Sequence, residues 1–204
     1  MANFLLVRHG QNDMVGKKLA GRLPDVHLNV HGQSQARRLA EQLAVLPIKA
    51  VIASPLARAQ ETAEPIARIH TLPVLTNEGL VEIDYGRWQG KSFKQLRRSK
   101  LWKDVKEAPE AFRFPEGESF QEAQSRIAQT LQAINQAYAE KDLVVCVSHC
   151  DVIRLAVGYF LKMPLNAFQR LQIDTTSVTA LHLQDGKVSF GPINALTEIE
   201  AYRH

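Results

Sequence analysis

Apolar and polar residues alternate along this chain with two different periods. Residues 4–8 are a short apolar run that stops at Gly10, the pattern of a strand covered on both faces. Residues 49–54 repeat that pattern. Ser54-Pro55 then supplies a cap and a first-turn proline, which predicts a helix to about Ile69, kinked or ended early by Pro65. Residues 31–46 carry Ala36, Leu39, Ala40 and Leu43 at helical spacing, and residues 72–76 read as a strand. Ser119-Phe120-Gln121-Glu122 is a capping box, and Phe120, Ala123, Ile127, Leu131, Ile134 and Tyr138 follow on one helical face to about residue 140. Residues 143–148 are the strongest strand signal. Residues 152–161 read as a helix, and segments 177–183 and 187–190 flank Asp185-Gly186 as a hairpin would. Strands alternating with helices predict an α/β layered domain with a mostly parallel sheet. One domain over 1–204 is expected, with a charged, irregular insertion at about 91–118.

Composition narrows the class only slightly. The 204 residues are 45% hydrophobic and 23% charged, which excludes a disordered or collagen-like chain. No apolar run approaches the ~20 residues of a membrane span. The first residues lack a basic segment and a long apolar stretch, so no signal peptide is expected. The net charge of +4 is spread along the chain, which fits a small anionic substrate better than nucleic acid. Two cysteines, Cys146 and Cys150, one of them inside an apolar strand, predict reduced thiols and a cytoplasmic setting.

The chemistry gathers where strands end. Ligands of open α/β sheets bind beyond the carboxyl ends of the strands. Three predicted strands end in Arg8-His9-Gly10-Gln11, in Ser54 with Arg58 one turn later, and in Ser148-His149. Two arginines and two histidines at one edge make a cationic pocket. Guanidinium forks match phosphate oxygens, and a histidine can serve as nucleophile as well as base. Two other motifs fail on spacing. Gly10 to Gly16-Lys17-Lys18 has one residue too many for a P-loop and lacks its hydroxyl residue. Cys146, His149 and Cys150 lack a second cysteine pair for zinc.

Arg8-His9-Gly10-Gln11 resembles the signature of the histidine phosphatase (phosphoglycerate mutase-like) superfamily. Five further segments resemble it in the same order: 28–36, 53–63 around Arg58, 82–90 around Glu82, 115–119, and 147–154 around His149. The resemblance implies a three-layer α/β/α sandwich with a mostly parallel mixed sheet. It implies His9 as the nucleophile, Arg8, Arg58 and His149 as the phosphate holders, and Glu82 as proton donor and acceptor, with Asp84 as the alternative acid. Gln11, Asn12 and Gly21 are the candidate substrate-binding residues. No metal and no cofactor is implied. A homodimer occurs among similar proteins, although no residue pattern here argues for one.

Two positions depart from the resemblance. Val15 stands where an asparagine is usual, and Cys150 where a glycine is usual. The short segment from Gly90 to Ser119 is closer to the phosphatases of the superfamily than to its mutases, so hydrolysis of a small phosphorylated metabolite is the leading expectation. A 2,3-bisphosphoglycerate-dependent phosphoglycerate mutase is the second, and a non-catalytic phosphate-binding module the third. The remaining histidines, His27, His31, His70, His182 and His204, are assigned no role. Lys91, Lys94, Arg97, Arg98, Lys100, Lys103 and Lys106 read as a solvated helical face, with contact to anionic substrate tails as the alternative, and Trp88 and Trp102 as packing residues rather than substrate platforms.

Overall fold

The structure, a computed structural model, describes residues 2–184 and 187–196. Six strands form one sheet: β1 (Asn3–Arg8), β2 (Ile48–Ala53), β3 (Val74–Thr76), β4 (Leu143–Ser148), β5 (Val178–Gln184) and β6 (Lys187–Phe190). The helices are α1 (Val30–Leu43), α2 (Ala57–Ile69), α3 (Phe93–Leu96), α4 (Leu101–Glu107), α5 (Phe120–Ala137) and α6 (Cys150–Phe160). The strand order is β3-β2-β4-β1-β5-β6. The first four are mutually parallel, and β5 and β6 close the other edge antiparallel. The expected hairpin strands therefore pair, while their Asp185-Gly186 turn lies outside the described residues.

Strand alternation splits the core into two halves. Leu5, Val7, Val51, Ala53, Val145 and Val147 face α1 and α2. Phe4, Leu6, Ala50, Ile52, Val144 and Cys146 face α5 and α6. Side chains two apart share a face, so each central strand is buried on both sides. This is the three-layer α/β/α sandwich expected. Among the described residues, no helix is long and apolar enough to cross a membrane.

Three local expectations need correction. Pro65 lies inside α2, yet the helix continues to Ile69. Proline withholds only the N–H that would bond the Glu61 carbonyl. Burial of Ala59, Ala63, Ile66 and Ala67 against the sheet holds the turns on either side. Ser54 does not cap α2: Leu56 is the N-cap and makes no side-chain cap bond. The long helix after the capping box ends at Ala137, a turn-fraction short of the expected limit.

The sheet order places the site. Adjacent strands β1 and β4 send their following helices to opposite faces, which opens a crevice at their carboxyl ends. Backbone approach there is close. A Cβ on Gly32 would come within 2.0 Å of the Gln11 carbonyl, and one on Gly10 within 2.8 Å of the Gly32 carbonyl. Glycine at both positions lets the first turn of α1 seat against the loop that carries His9.

Candidate active site

Strand register assembles the cationic groups. Arg8 pairs with Ser148 across parallel β1 and β4, so the next residues, His9 and His149, emerge side by side. The His9 N–H donates to the Ser148 carbonyl at 3.0 Å, and the two imidazole centroids are 5.2 Å apart. Arg58 arrives from the first turn of α2. Its Nη2 donates to the Gly21 carbonyl at 2.7 Å, and Arg8 Nη1 donates to the Ile173 carbonyl at 2.7 Å. The cavity in front of them measures about 240 Å³. Arg8, His9, Asn12, Gly21, Arg58 and Glu82 all line it. His149 lies fully buried behind His9.

Four buried donor positions point to an anion. Arg8 Nε, Arg58 Nε, Arg58 Nη1 and His149 Nδ1 are buried with no hydrogen-bond partner among the described residues. Orphaned buried donors are costly, and a cluster of them beside one cavity is the signature of a held oxyanion. The first turn of α6, with Cys150 and Asp151, forms part of the same wall, so the positive end of that helix faces the cavity. A metal cation does not suit this donor set, which is cationic on most sides.

Protonation states follow from burial and charge. Burial, then Arg58, then Arg8, hold the His9 imidazole well below its usual range, so the ring is neutral. Its Nδ1 lies 2.7 Å from the Gly10 carbonyl. Nδ1 therefore carries the proton, and Nε2 is left with a free lone pair. His149 is held neutral by burial, Arg58 and His9, in that order. Its Nε2 meets the Ser54 hydroxyl at 2.8 Å, and that hydroxyl also accepts from the Leu56 N–H at 3.4 Å. Nε2 is thereby occupied, and Nδ1 is the ring nitrogen left without a partner among the described residues. Ser54 thus touches His149 from the strand end where the sequence placed it, and only its reading as a helix cap fails.

Geometry separates the two candidate carboxylates. Glu82 lines the cavity, and burial followed by the charge of Asp151 raises its pKa to about 7. Asp84 does not line the cavity; its Oδ1 accepts the Gly86 N–H at 2.9 Å and shapes the turn. The Glu82 loop is pinned from behind. Glu118 accepts the Asp84 N–H at 3.0 Å and pairs with Arg22 at 2.9 Å and Arg126 at 3.0 Å. Arg22 Nε also donates to the Glu82 carbonyl at 2.8 Å. Thr62 accepts the Gly10 N–H at 3.0 Å and ties α2 to the His9 loop. These contacts explain why segments 53–63 and 115–119 belong to the pattern although most of their residues stay out of the cavity.

One further expectation changes. Gln11 does not line the cavity: its N–H donates to Gln35 Oε1 at 2.9 Å and its carbonyl accepts the Asn29 N–H. Cys150 does line it, but burial pushes its thiol up to about 12, so no thiolate forms there. Val15, in place of the usual asparagine, also lines the cavity.

The chain is 28% identical over 188 residues to a phosphoserine phosphatase of Hydrogenobacter thermophilus, covering 91% of this chain and 88% of the relative. It is 27% identical to a 2,3-bisphosphoglycerate-dependent phosphoglycerate mutase of Thermoplasma acidophilum, covering 97% and 96%. The fold superposes on a phosphoserine phosphatase of Entamoeba histolytica, solved with 3-phosphoglyceric acid, with a TM-score of 0.85 at 27% identity, covering 96% and 98%. The family model that matches residues 4–195 carries the conclusion: this chain belongs to the histidine phosphatase superfamily, branch 1.

Proposed function

We propose that this chain is a metal-independent phosphomonoesterase that hydrolyses a small phosphorylated metabolite through a phosphohistidine intermediate. The observation that carries this reading is the set of orphaned donors on Arg8, Arg58 and His149 around a neutral His9 with a free Nε2. The phosphoryl group sits among these donors. His9 Nε2 attacks phosphorus in line, forming the N–P bond as the P–O bond to the leaving group breaks. Charge on the equatorial oxygens is met by groups already in place, which is where most of the rate acceleration of phosphoryl transfer arises. Glu82, protonated near neutrality, donates its proton to the leaving oxygen. The resulting carboxylate takes a proton from water as that water attacks phosphorus, the N–P bond breaks, and phosphate leaves. The cavity is smaller than the roughly 300–1,000 Å³ of drug-sized ligand sites, which favours a small substrate.

The test is a phosphomonoester panel assayed in excess chelator. Turnover is expected at the untreated rate, and abolition by chelator would overturn the metal-independent mechanism. A parallel assay follows 3-phosphoglycerate with and without 2,3-bisphosphoglycerate; isomerisation outpacing phosphate release would replace this reading with a mutase.

The raised pKa of Glu82 sets the pH dependence. Its acid form is the one required, and deprotonation occurs at about 7. The kcat/KM profile is therefore expected to fall about tenfold per pH unit above that point. The acid limb, set by protonation of His9, should lie well below pH 6.5. Asp151→Asn removes a negative charge that raises the Glu82 pKa, so the basic limb should move to lower pH. A limb unmoved by this change would mean that another group is the acid.

A further inference from the structure

Beyond the phosphoryl end, the cavity has a chemistry that phosphate binding does not use. Trp88 and Trp102 stack with centroids 6.1 Å apart and planes at 24°. Phe93 meets Trp102 edge-on at 6.3 Å, and Phe114 meets Trp88 at 5.5 Å. All four rings line the cavity. Trp102 and Phe93 are only half-buried, so faces remain for a ligand.

The charge on this wall is one-sided. Five cationic side chains, Arg8, Lys18, Arg58, Lys106 and Arg154, line the cavity against two carboxylates, Glu82 and Asp151. Arg8 and Arg58 serve the phosphoryl group. Asp151 is already satisfied, accepting from Tyr85 Oη at 2.8 Å and pairing with Arg154 at 2.9 Å. Glu82 accepts the Ile83 N–H at 2.9 Å and must stay protonated to act as an acid. No carboxylate is left for a cationic leaving group. Lys18 and Lys106, by contrast, have no carboxylate partner among the described residues. Lys106 Nζ lies 5.7 Å from the centroid of the Trp102 ring and 3.2 Å from Gln169 Oε1, at the mouth of the aromatic wall.

We infer that the substrate's leaving group is a ring-bearing alcohol carrying a negative charge and no ammonium group, its ring against Trp102 and its anion toward Lys106 and Lys18. This rests on the phosphomonoesterase reading above. It sets the chain apart from relatives named for phosphoserine, since the amino group of phosphoserine would find no unengaged carboxylate here.

The test holds leaving-group basicity nearly constant, so that binding alone differs. The probes are propyl phosphate, 2-phenylethyl phosphate, its ring-carboxylated analogue and O-phospho-L-serine. The 2-phenylethyl ester should exceed propyl phosphate in kcat/KM by roughly tenfold or more, as ring contacts of this kind allow. The carboxylate should add a further gain of about threefold that disappears at high salt. O-phospho-L-serine should rank last. Trp102→Ala should shrink the phenyl-to-propyl ratio, and Lys106→Met the carboxyl-to-phenyl ratio. Ratios taken within one preparation are independent of the fraction folded. Phosphoserine ranking first, or ratios unchanged in the variants, would overturn the inference and leave the phosphatase reading standing. Absence of turnover on every probe would instead remove that underlying reading.

Discussion

His9→Ala is expected to lower kcat/KM by on the order of 10⁴-fold or more, the range seen when a covalent nucleophile is removed. The loss should be this large because nothing else in the cavity can take over. The Cys150 thiol is held protonated by burial. The Nε2 of His149 is engaged by Ser54, and the ring does not line the cavity. Brief reaction of the unaltered protein with a labelled phosphomonoester, followed by quenching, should trap a phosphoryl group stable in base and lost in acid, as an N–P bond requires. The variant should trap none. Retained turnover in a folded His9→Ala protein would remove His9 from the nucleophile's role. Thermal unfolding of the variant separates lost chemistry from lost fold.

The second large effect concerns Arg58, and its two readouts should move independently. Arg58 is 1% exposed, and two of its three guanidinium nitrogens have no partner among the described residues. Such an arrangement costs folding free energy and is retained where it serves a bound anion. Arg58→Met keeps much of the aliphatic volume and deletes the charge. Activity should fall on the order of 10²–10³-fold or more, as for loss of one oxyanion donor. The Tm should stay at or above that of the unaltered protein, because relief of a desolvated cation offsets the lost bond to the Gly21 carbonyl. Arg58→Lys should not restore activity, since an ammonium cannot reproduce the planar fork. A large fall in Tm with Arg58→Met would mean that Arg58 is a structural tie and not a preorganised phosphate ligand.

Much of this molecule was legible before any coordinates. The strands were readable because central strands of a covered sheet are apolar on both faces, as in Phe4 to Val7 and Leu143 to Val147. The helix from Phe120 was readable because a capping box and an apolar stripe coincide, and both occur in the structure. Arg8, His9, Arg58 and His149 were readable because each follows a predicted strand end, where parallel strands deliver their side chains to one edge. Ser54 was misread because a serine before a proline carries the same local signal whether or not it caps a helix. The basic segment was only half readable. Lys103 pairs with Glu107 on the outer face while Lys106 turns to the cavity. Spacing along a short helix does not say which of its faces meets a neighbour.

The order of polar residues along the chain and the two periods of its apolar ones determined the layers, the parallel strands and the identity of the cationic groups, because those depend on local geometry repeated over many residues. Tertiary structure alone decided the rest. The register of β1 against β4 sets the His9 to His149 distance, and the Gly10 carbonyl chooses which nitrogen of the His9 ring holds the proton. Burial beside Asp151 raises the Glu82 pKa, while Asp84 stands outside the cavity. These are properties of contacts between segments far apart in the chain, and a pKa or a tautomer belongs to the surroundings of a group, not to its place in the sequence.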